Sequence, residues 1–307
     1  MKVLIFGSNG MVGSSLAKKL KQNFNFSSVI TSSRGDTNLF SFRETLSKIE
    51  KESPDIIVNC AAMVGGIVAN NKMRTEFIIN NLKINLNILE SIKEFNNIKM
   101  INLGSSCIYP LGAKIPIKEE SLMTGKLEPT NSPYAMAKLS AIEIGDSMTK
   151  QYGHKILNLM PTNLYGQNDN FDLNSSHVIP GLISRMHQAK SNNKNNFNVW
   201  GTGKPLREFL HVDDLSNAIE FTILNNIDSG IYNVGSGEEI SIFDLAKKIK
   251  NIVGFKGEII FDSDFPDGNP RKLLDSSKLN KLGWTSRIKL DEGLIMTYKW
   301  FLKNNAT

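Results

Sequence analysis

Short apolar runs alternate with helical spacings, a glycine triplet separates the first run from the first helix, and the pattern loosens after about Tyr165. These observations predict an α/β protein: a doubly wound parallel sheet of the Rossmann type with a smaller α/β lobe. Ligands of such sheets sit at the carboxyl ends of the strands.

The elements follow in order. Lys2–Phe6 is apolar and opens the sheet. Gly7-x-x-Gly10-x-x-Gly13 follows, then a helix with Leu16 and Leu20 on one side. Val29–Ser32, Asp55–Cys60 and Lys99–Leu103 are further short strands, and the spacing predicts a helix over Ile84–Phe95. A long helix is expected over Ser132–Tyr152, with Ser132 as N-cap, Pro133 at its first position and Gly153 closing it. Lys155–Met160 is the next strand. Beyond it, Phe197–Trp200 and Arg207–Val212 are strands, and Asp213–Leu224, Ser241–Val253 and Leu290–Asn304 are helices. Ser241 and Asp244 form a capping pair. The expected division is 1–165, with interleaved segments from about 200–235, and 166–307.

The chain has 307 residues, enough for two lobes. Its 40 % hydrophobic and 21 % charged content is that of a soluble globular protein. No apolar run approaches the roughly 20 residues of a membrane span, so no membrane partner is expected. The amino terminus is expected to be a strand rather than a signal peptide. Two cysteines, Cys60 and Cys107, suggest no secreted disulfide framework. A reducing cytoplasm is expected. The net charge of +6 is spread without blocks and accompanies no nucleic-acid motif, so no nucleic-acid partner is expected. An anionic substrate would use some of that charge. The Asn-rich stretch Lys190–Asn196 is expected to be a surface loop.

The glycine triplet lets backbone approach a pyrophosphate, whose charge a helix N-terminus favours. A tight structural turn is the plainer alternative. The second strand ends in Thr31-Ser-Ser-Arg34, where NAD enzymes usually carry a carboxylate. A cation beside small hydroxyls suits a 2′-phosphate, so NADP(H) is the expected cofactor, although Asp36 lies close by. Tyr134 and Lys138 stand at i and i+4 on one helix face. An ammonium beside a phenol is expected to lower its pKa and let it exchange a proton, as ketone reduction requires. Ser105 and Ser106 follow a buried strand at the same sheet edge, where either can hydrogen-bond a carbonyl. Cys60 is expected in the core and His154 on the surface. His211 is assigned no chemistry, and no spacing suggests a metal.

With the glycine triplet and Asn59-Cys-Ala-Ala62, this Ser/Tyr/Lys set resembles the extended short-chain dehydrogenase/reductases. The resemblance narrows over Ala61–Asn70, Leu103–Pro110, Pro161–Gly166, Ser176–Pro180, Val199–Gly203, Arg207–Asp214 and Asp267–Asp275. These stretches resemble the GDP-L-fucose synthase family nearly end to end. That family epimerises C3 and C5 of GDP-4-keto-6-deoxy-D-mannose, then reduces the C4 ketone with NADPH. The resemblance implies that Ser105, Tyr134 and Lys138 form the reductive triad and that Cys107 and His177 form the epimerisation pair. It implies cofactor contacts from Gly7, Gly10, Met11, Val12, Gly13, Arg34, Ala61, Tyr134, Lys138, Pro161, Asn163, Leu164 and His177. It brings Arg185, Trp200, Arg207 and Lys272 to the GDP-linked sugar. One departure is Ser8-Asn9, where many relatives carry a basic residue; more of the 2′-phosphate then falls to Arg34. A homodimer through the two long helices, Ile84–Phe95 and Ser132–Tyr152, is the implied assembly. The competing readings are a reductase-only enzyme for another GDP-4-keto sugar such as a heptose, another nucleotide-sugar epimerase or dehydratase, and a non-catalytic NADP sensor.

Overall fold

The computed structural model describes residues 1–173, 175–264 and 267–304. The first elements are β1 (Lys2–Phe6), α1 (Met11–Lys21), β2 (Ser28–Ser32), α2 (Phe42–Glu52), β3 (Ile56–Asn59), α3 (Ile67–Lys72), α4 (Arg74–Ile92), β4 (Lys99–Leu103), α5 (Ser132–Tyr152) and β5 (Ile156–Pro161). Then come β6 (Asn163–Tyr165), α6 (Val178–Ser191), β7 (Asn196–Trp200), β8 (Leu206–His211), α7 (Val212–Leu224) and β9 (Gly230–Val234). The last are β10 (Glu239–Ser241), α8 (Ile242–Val253), β11 (Glu258–Asp262), β12 (Arg271–Lys272), α9 (Ser277–Asn280) and α10 (Leu290–Asn304).

The main sheet has the order β2-β1-β3-β4-β5-β9 and is parallel throughout. It is the doubly wound α/β sheet the sequence predicts. Both faces are covered, so its strands are apolar without alternation: Val3, Leu4, Ile5 and Phe6 are all fully buried. On one face Leu16, Leu20, Leu215 and Ile219 of α1 and α7 pack with Val3 and Ile5. On the other, Ile49, Ile84, Ile88 and Ala141 of α2, α4 and α5 pack with Leu4 and Phe6. Strand order reverses between β1 and β3, which opens a crevice at their carboxyl ends. Phe6 pairs with Ser32 on one side and Asn59 on the other, so Gly7, Ser33 and Cys60 leave the sheet at one edge.

A second body rests on β8. It pairs with β6 and β12 in parallel and with β10 antiparallel, while β7 pairs with β11. Its core joins Ile183 and Met186 of α6, Leu245 and Ile249 of α8, and Leu294 and Phe301 of α10. The register sets Arg207 and Lys272 side by side as Cα partners. No helix among the described residues is long and apolar enough to cross a membrane.

Local chemistry corrects several sequence expectations. Helix α4 begins ten residues before the expected Ile84, because asparagines interrupt the apolar spacing there. Asn81 and Asn85 are buried and bonded: Asn81 Nδ2 donates to Phe77 O at 2.7 Å, and Asn85 Oδ1 accepts from Asn59 Nδ2 at 3.1 Å. The N-cap of α5 is Asn131, not Ser132. Glu128 serves the entry instead, accepting the N–H of Thr130 at 3.1 Å and of Asn131 at 3.0 Å. His154 is buried, not on the surface: its Nε2 lies 3.0 Å from Lys93 O and its ring stands edge-on to Tyr152. The caps at Gly153, with φ of 76°, and at Ser241, which accepts from Asp244 N at 3.0 Å, are as expected.

Candidate active site

The glycine triplet lies at the crevice between β1 and β3. A Cβ on Gly7 would stand 2.6 Å from Ala61 N, and one on Gly13 only 2.3 Å from Gly7 O. Both obstacles are backbone, so neither yields. Gly10 caps α1 without a side-chain bond, and the first turn carries no acid. Its leading N–H groups are therefore left to an anion such as a pyrophosphate. Met11 opens α1 there, and Val12 packs against the core. Ala61 is held by its N–H donating to Asn59 Oδ1 at 3.0 Å.

Beyond β2, the chain turns through Ser33–Thr37. Asp36 accepts from Ser33 N at 2.8 Å and Ser33 Oγ at 2.7 Å, and these bonds hold its carboxyl below the usual range. The carboxylate is thus committed to its own turn. Arg34 is exposed and lies over the Phe40 ring, 5.5 Å from its centroid. This edge presents a cation where an NAD site needs a free acid.

Ser105 caps a single 3₁₀ turn, Ser106–Ile108, immediately after β4; its Oγ accepts from Cys107 N at 3.1 Å. Tyr134 lies close enough to Ser105 for the serine to favour its ionised form. Ser106, by contrast, is 2 % exposed, which separates the two serines that sequence left equivalent. Lys138 is also 2 % exposed and donates from Nζ to Leu103 O at 2.7 Å. Burial pulls its ammonium down to about 8, against a smaller opposing pull from Cys60. Burial, and next the neighbouring Cys107, push the Tyr134 phenol up, with Ser105 working the other way. The expected depression by Lys138 does not occur here. Its ammonium is turned to a carbonyl, 5.9 Å from the Tyr134 ring centroid. Tyr134 therefore keeps its proton at neutral pH, as a general acid must.

Cys107 is half-buried and faces charge on several sides. Lys272 Nζ stands 3.5 Å from its Sγ, and Arg207 and Tyr134 are near enough to interact with it electrostatically. Cys60, the other free thiol, is pushed up to about 12 by burial and is chemically quiet. Arg185 lies over the rings of Trp200 and Phe197, 5.1 and 5.5 Å from their centroids. Trp200 leaves half its surface open. Asn163 Nδ2 donates to Glu208 O at 2.8 Å; Leu164 packs into the main core and Pro161 ends β5.

His177 is the N-cap of α6. Its surface is exposed, while desolvation by the surrounding protein pushes its imidazole pKa down. No hydrogen bond joins it to Cys107 among the described residues. Tyr134 stands edge-on to Phe77, Phe77 abuts Gly65, and a Cβ on Gly66 would come within 2.9 Å of Ser176 O. Gly66 N donates to Ser175 O at 3.2 Å.

Sequence reasoning passed over Glu208. It is fully buried, and its carboxylate accepts from Gly237 N at 2.8 Å and Leu274 N at 3.1 Å. It thereby ties β8 to the loop after β9 and to the end of β12. The available signal was a carboxylate set inside an apolar strand, Arg207-Glu-Phe-Leu.

Known proteins share this fold. The model of the NAD dependent epimerase/dehydratase family matches residues 3–235. The chain is 46 % identical to putative GDP-L-fucose synthase 2 of Arabidopsis thaliana, covering 99 % of this chain and 92 % of that one. It is 44 % identical to GDP-L-fucose synthase of Escherichia coli (strain K12), covering 99 % and 97 %. The chain belongs to the GDP-L-fucose synthase family. Among solved structures, a GDP-L-fucose synthetase from Naegleria fowleri bound to NADP superposes with a TM-score of 0.90 at 28 % identity, over 99 % of this chain and 95 % of that one.

Proposed function

We infer that the chain converts GDP-4-keto-6-deoxy-D-mannose to GDP-L-fucose, by epimerising C3 and C5 and then reducing the C4 ketone with NADPH. The observation that carries this reading is Cys107. A thiol stands within the same crevice as the Tyr134–Ser105 pair and beside the cations Lys272 and Arg207. A plain reductase needs no thiol there.

The ketone at C4 acidifies the protons on C3 and C5. Cys107 removes one: the C–H bond breaks, an S–H bond forms, and the electron pair moves onto the ketone oxygen. Tyr134 and Ser105 hold that enolate oxygen by hydrogen bonds. His177 returns a proton from the opposite face. In the reductive step Tyr134 donates its proton to the C4 oxygen, and Lys138 would have to turn from Leu103 O to steady the charge left on the phenol. NADPH, when bound, supplies the hydride. Gly7, Gly10 and Gly13 with the start of α1 would hold its pyrophosphate, Arg34 its 2′-phosphate, and Ala61, Pro161, Asn163 and Leu164 would line its path. Arg185, Arg207 and Lys272 hold the diphosphate of the GDP-sugar, and Trp200 packs against its base or sugar.

In this scheme the main-sheet part, 1–165 with β9, holds the cofactor, and 166–307 holds the sugar. The assembly is a homodimer through α4 and α5. Ile79 and Leu86, seven residues apart on α4, are exposed, as is Met136 on α5. The proposed compartment is the cytoplasm, where the free thiols Cys60 and Cys107 stay reduced. Incubation with NADPH and GDP-4-keto-6-deoxy-D-mannose, followed by NMR of the product, tests the reading. GDP-L-fucose is the expected product. A product that keeps the D-manno configuration at C3 and C5 would replace it with the reductase-only reading.

A further inference from the structure

We propose that Lys272 is a positioning residue for Cys107, holding the thiol as the proton-accepting thiolate aimed into the crevice. The contact is direct, Nζ to Sγ at 3.5 Å. Strand alternation explains why this lysine and not its neighbour is available. Arg271, one residue earlier, is bound to Glu239 by contacts of 2.6 to 3.0 Å. Among the described residues no carboxylate ion-pairs with Lys272. Arg207, its register partner, also faces Cys107, but its charge is shared with Asp267, and its guanidinium donates to Leu206 O at 2.8 Å. Tyr134 faces the thiol from α5 as a neutral phenol, and Ser105 holds the backbone N–H of Cys107 from within the turn. Lys272 is the cation free to act on the sulfur.

A lysine ammonium carries three donors. One at Sγ leaves two for a phosphate oxygen, so this task is compatible with substrate binding. A cation beside a thiol favours the thiolate, which is the form that takes a proton from carbon. The proton taken from the sugar ends on sulfur. The role matters for catalysis only if Cys107 is the base of the epimerisation, so the inference rests on that reading.

The first test needs no sugar. The unliganded enzyme is treated at pH 7.5 with iodoacetamide, a neutral reagent that Lys272 does not attract, and alkylation of Cys107 is followed by peptide mass spectrometry. Lys272→Met should slow it about tenfold or more, the smaller end of what an opposite charge at this range confers. Lys272→Arg should restore most of the rate. NADPH binding by each variant checks the fold, and a merely loosened site would alkylate faster, not slower. Equal rates in wild type and Lys272→Met overturn the proposal. The second test is deuterium uptake by the keto sugar in heavy water without NADPH. Lys272→Met should lose exchange even at saturating substrate; a loss confined to KM, with exchange undiminished at saturation, would mean that the lysine serves binding alone. Failure of wild type to exchange would sink the epimerase reading, while the alkylation result would still decide the role of Lys272.

Discussion

Lys138→Met should make the protein more stable at neutral pH while disabling it. Lys138 is 2 % exposed, and burial takes its ammonium from 10.5 to about 8. At 1.36 kcal/mol per unit, that shift costs the folded state about 3 kcal/mol wherever lysine is charged in the unfolded chain. The sign follows from proton counts. Between pH 8 and 10.5 the unfolded chain holds the lysine proton and the folded protein has released it, so wild-type stability rises with pH through that window. Below pH 8 both states are protonated and the full cost is present. Methionine removes it but leaves Leu103 O without its donor, a loss of about 1–2 kcal/mol. The variant should therefore lead wild type by about 1–2 kcal/mol at pH 7, and that lead should fall by about 2–3 kcal/mol by pH 10. Urea unfolding read from tryptophan fluorescence is the assay, since Trp284 is buried in the main core. Titrations not coupled to Lys138 cancel in the difference between the two proteins. A difference that stays flat from pH 7 to 10 would refute the claim that the ammonium is held at a desolvation cost.

Tyr134→Phe should cut ketone reduction by roughly 10²–10⁴, the usual reach of general acid catalysis, with NADPH affinity retained in a fluorescence titration. Near-normal turnover would remove Tyr134 from the acid role. Arg34→Ala should weaken NADPH by about 1.5–3 kcal/mol, as for a bond to a charged group, and leave NADH nearly unchanged. Equal losses for both cofactors would mean that Arg34 does not meet the 2′-phosphate. Cys107→Ser should lower hydrogen exchange at C3 and C5 by roughly 10²–10⁴ yet keep some NADPH oxidation, because a hydroxyl is far harder to deprotonate than a thiol. Undiminished exchange in that variant would assign the base elsewhere.

The parallel sheet was legible because its strands are buried on both faces, and runs such as Val3–Phe6 advertise that directly. The glycine crevice was legible because backbone crowding at Gly7 and Gly13 admits no side chain. Helix α4 was partly hidden by Asn81 and Asn85, which are polar by composition but buried through hydrogen bonds that no periodicity records. His154 was misjudged for a like reason: its partner, Lys93 O, lies 61 residues away in sequence. Tyr134 and Lys138 were found by spacing, but the direction of their ionisation was not. Spacing says that two groups share a face; it does not say that the ammonium turns to Leu103 O. Glu208 and the Lys272–Cys107 contact depend on strand register between segments some 65 or more residues apart, which nothing local encodes.

The most direct measurement runs the complete reaction in heavy water with unlabelled NADPH and GDP-4-keto-6-deoxy-D-mannose, and reads the sugar by proton NMR. Epimerisation and reduction at one site predict GDP-L-fucose with deuterium at C3 and C5 and protium, delivered from the cofactor, at C4. A reduced sugar that retains protium and its original configuration at C3 and C5 would contradict the account.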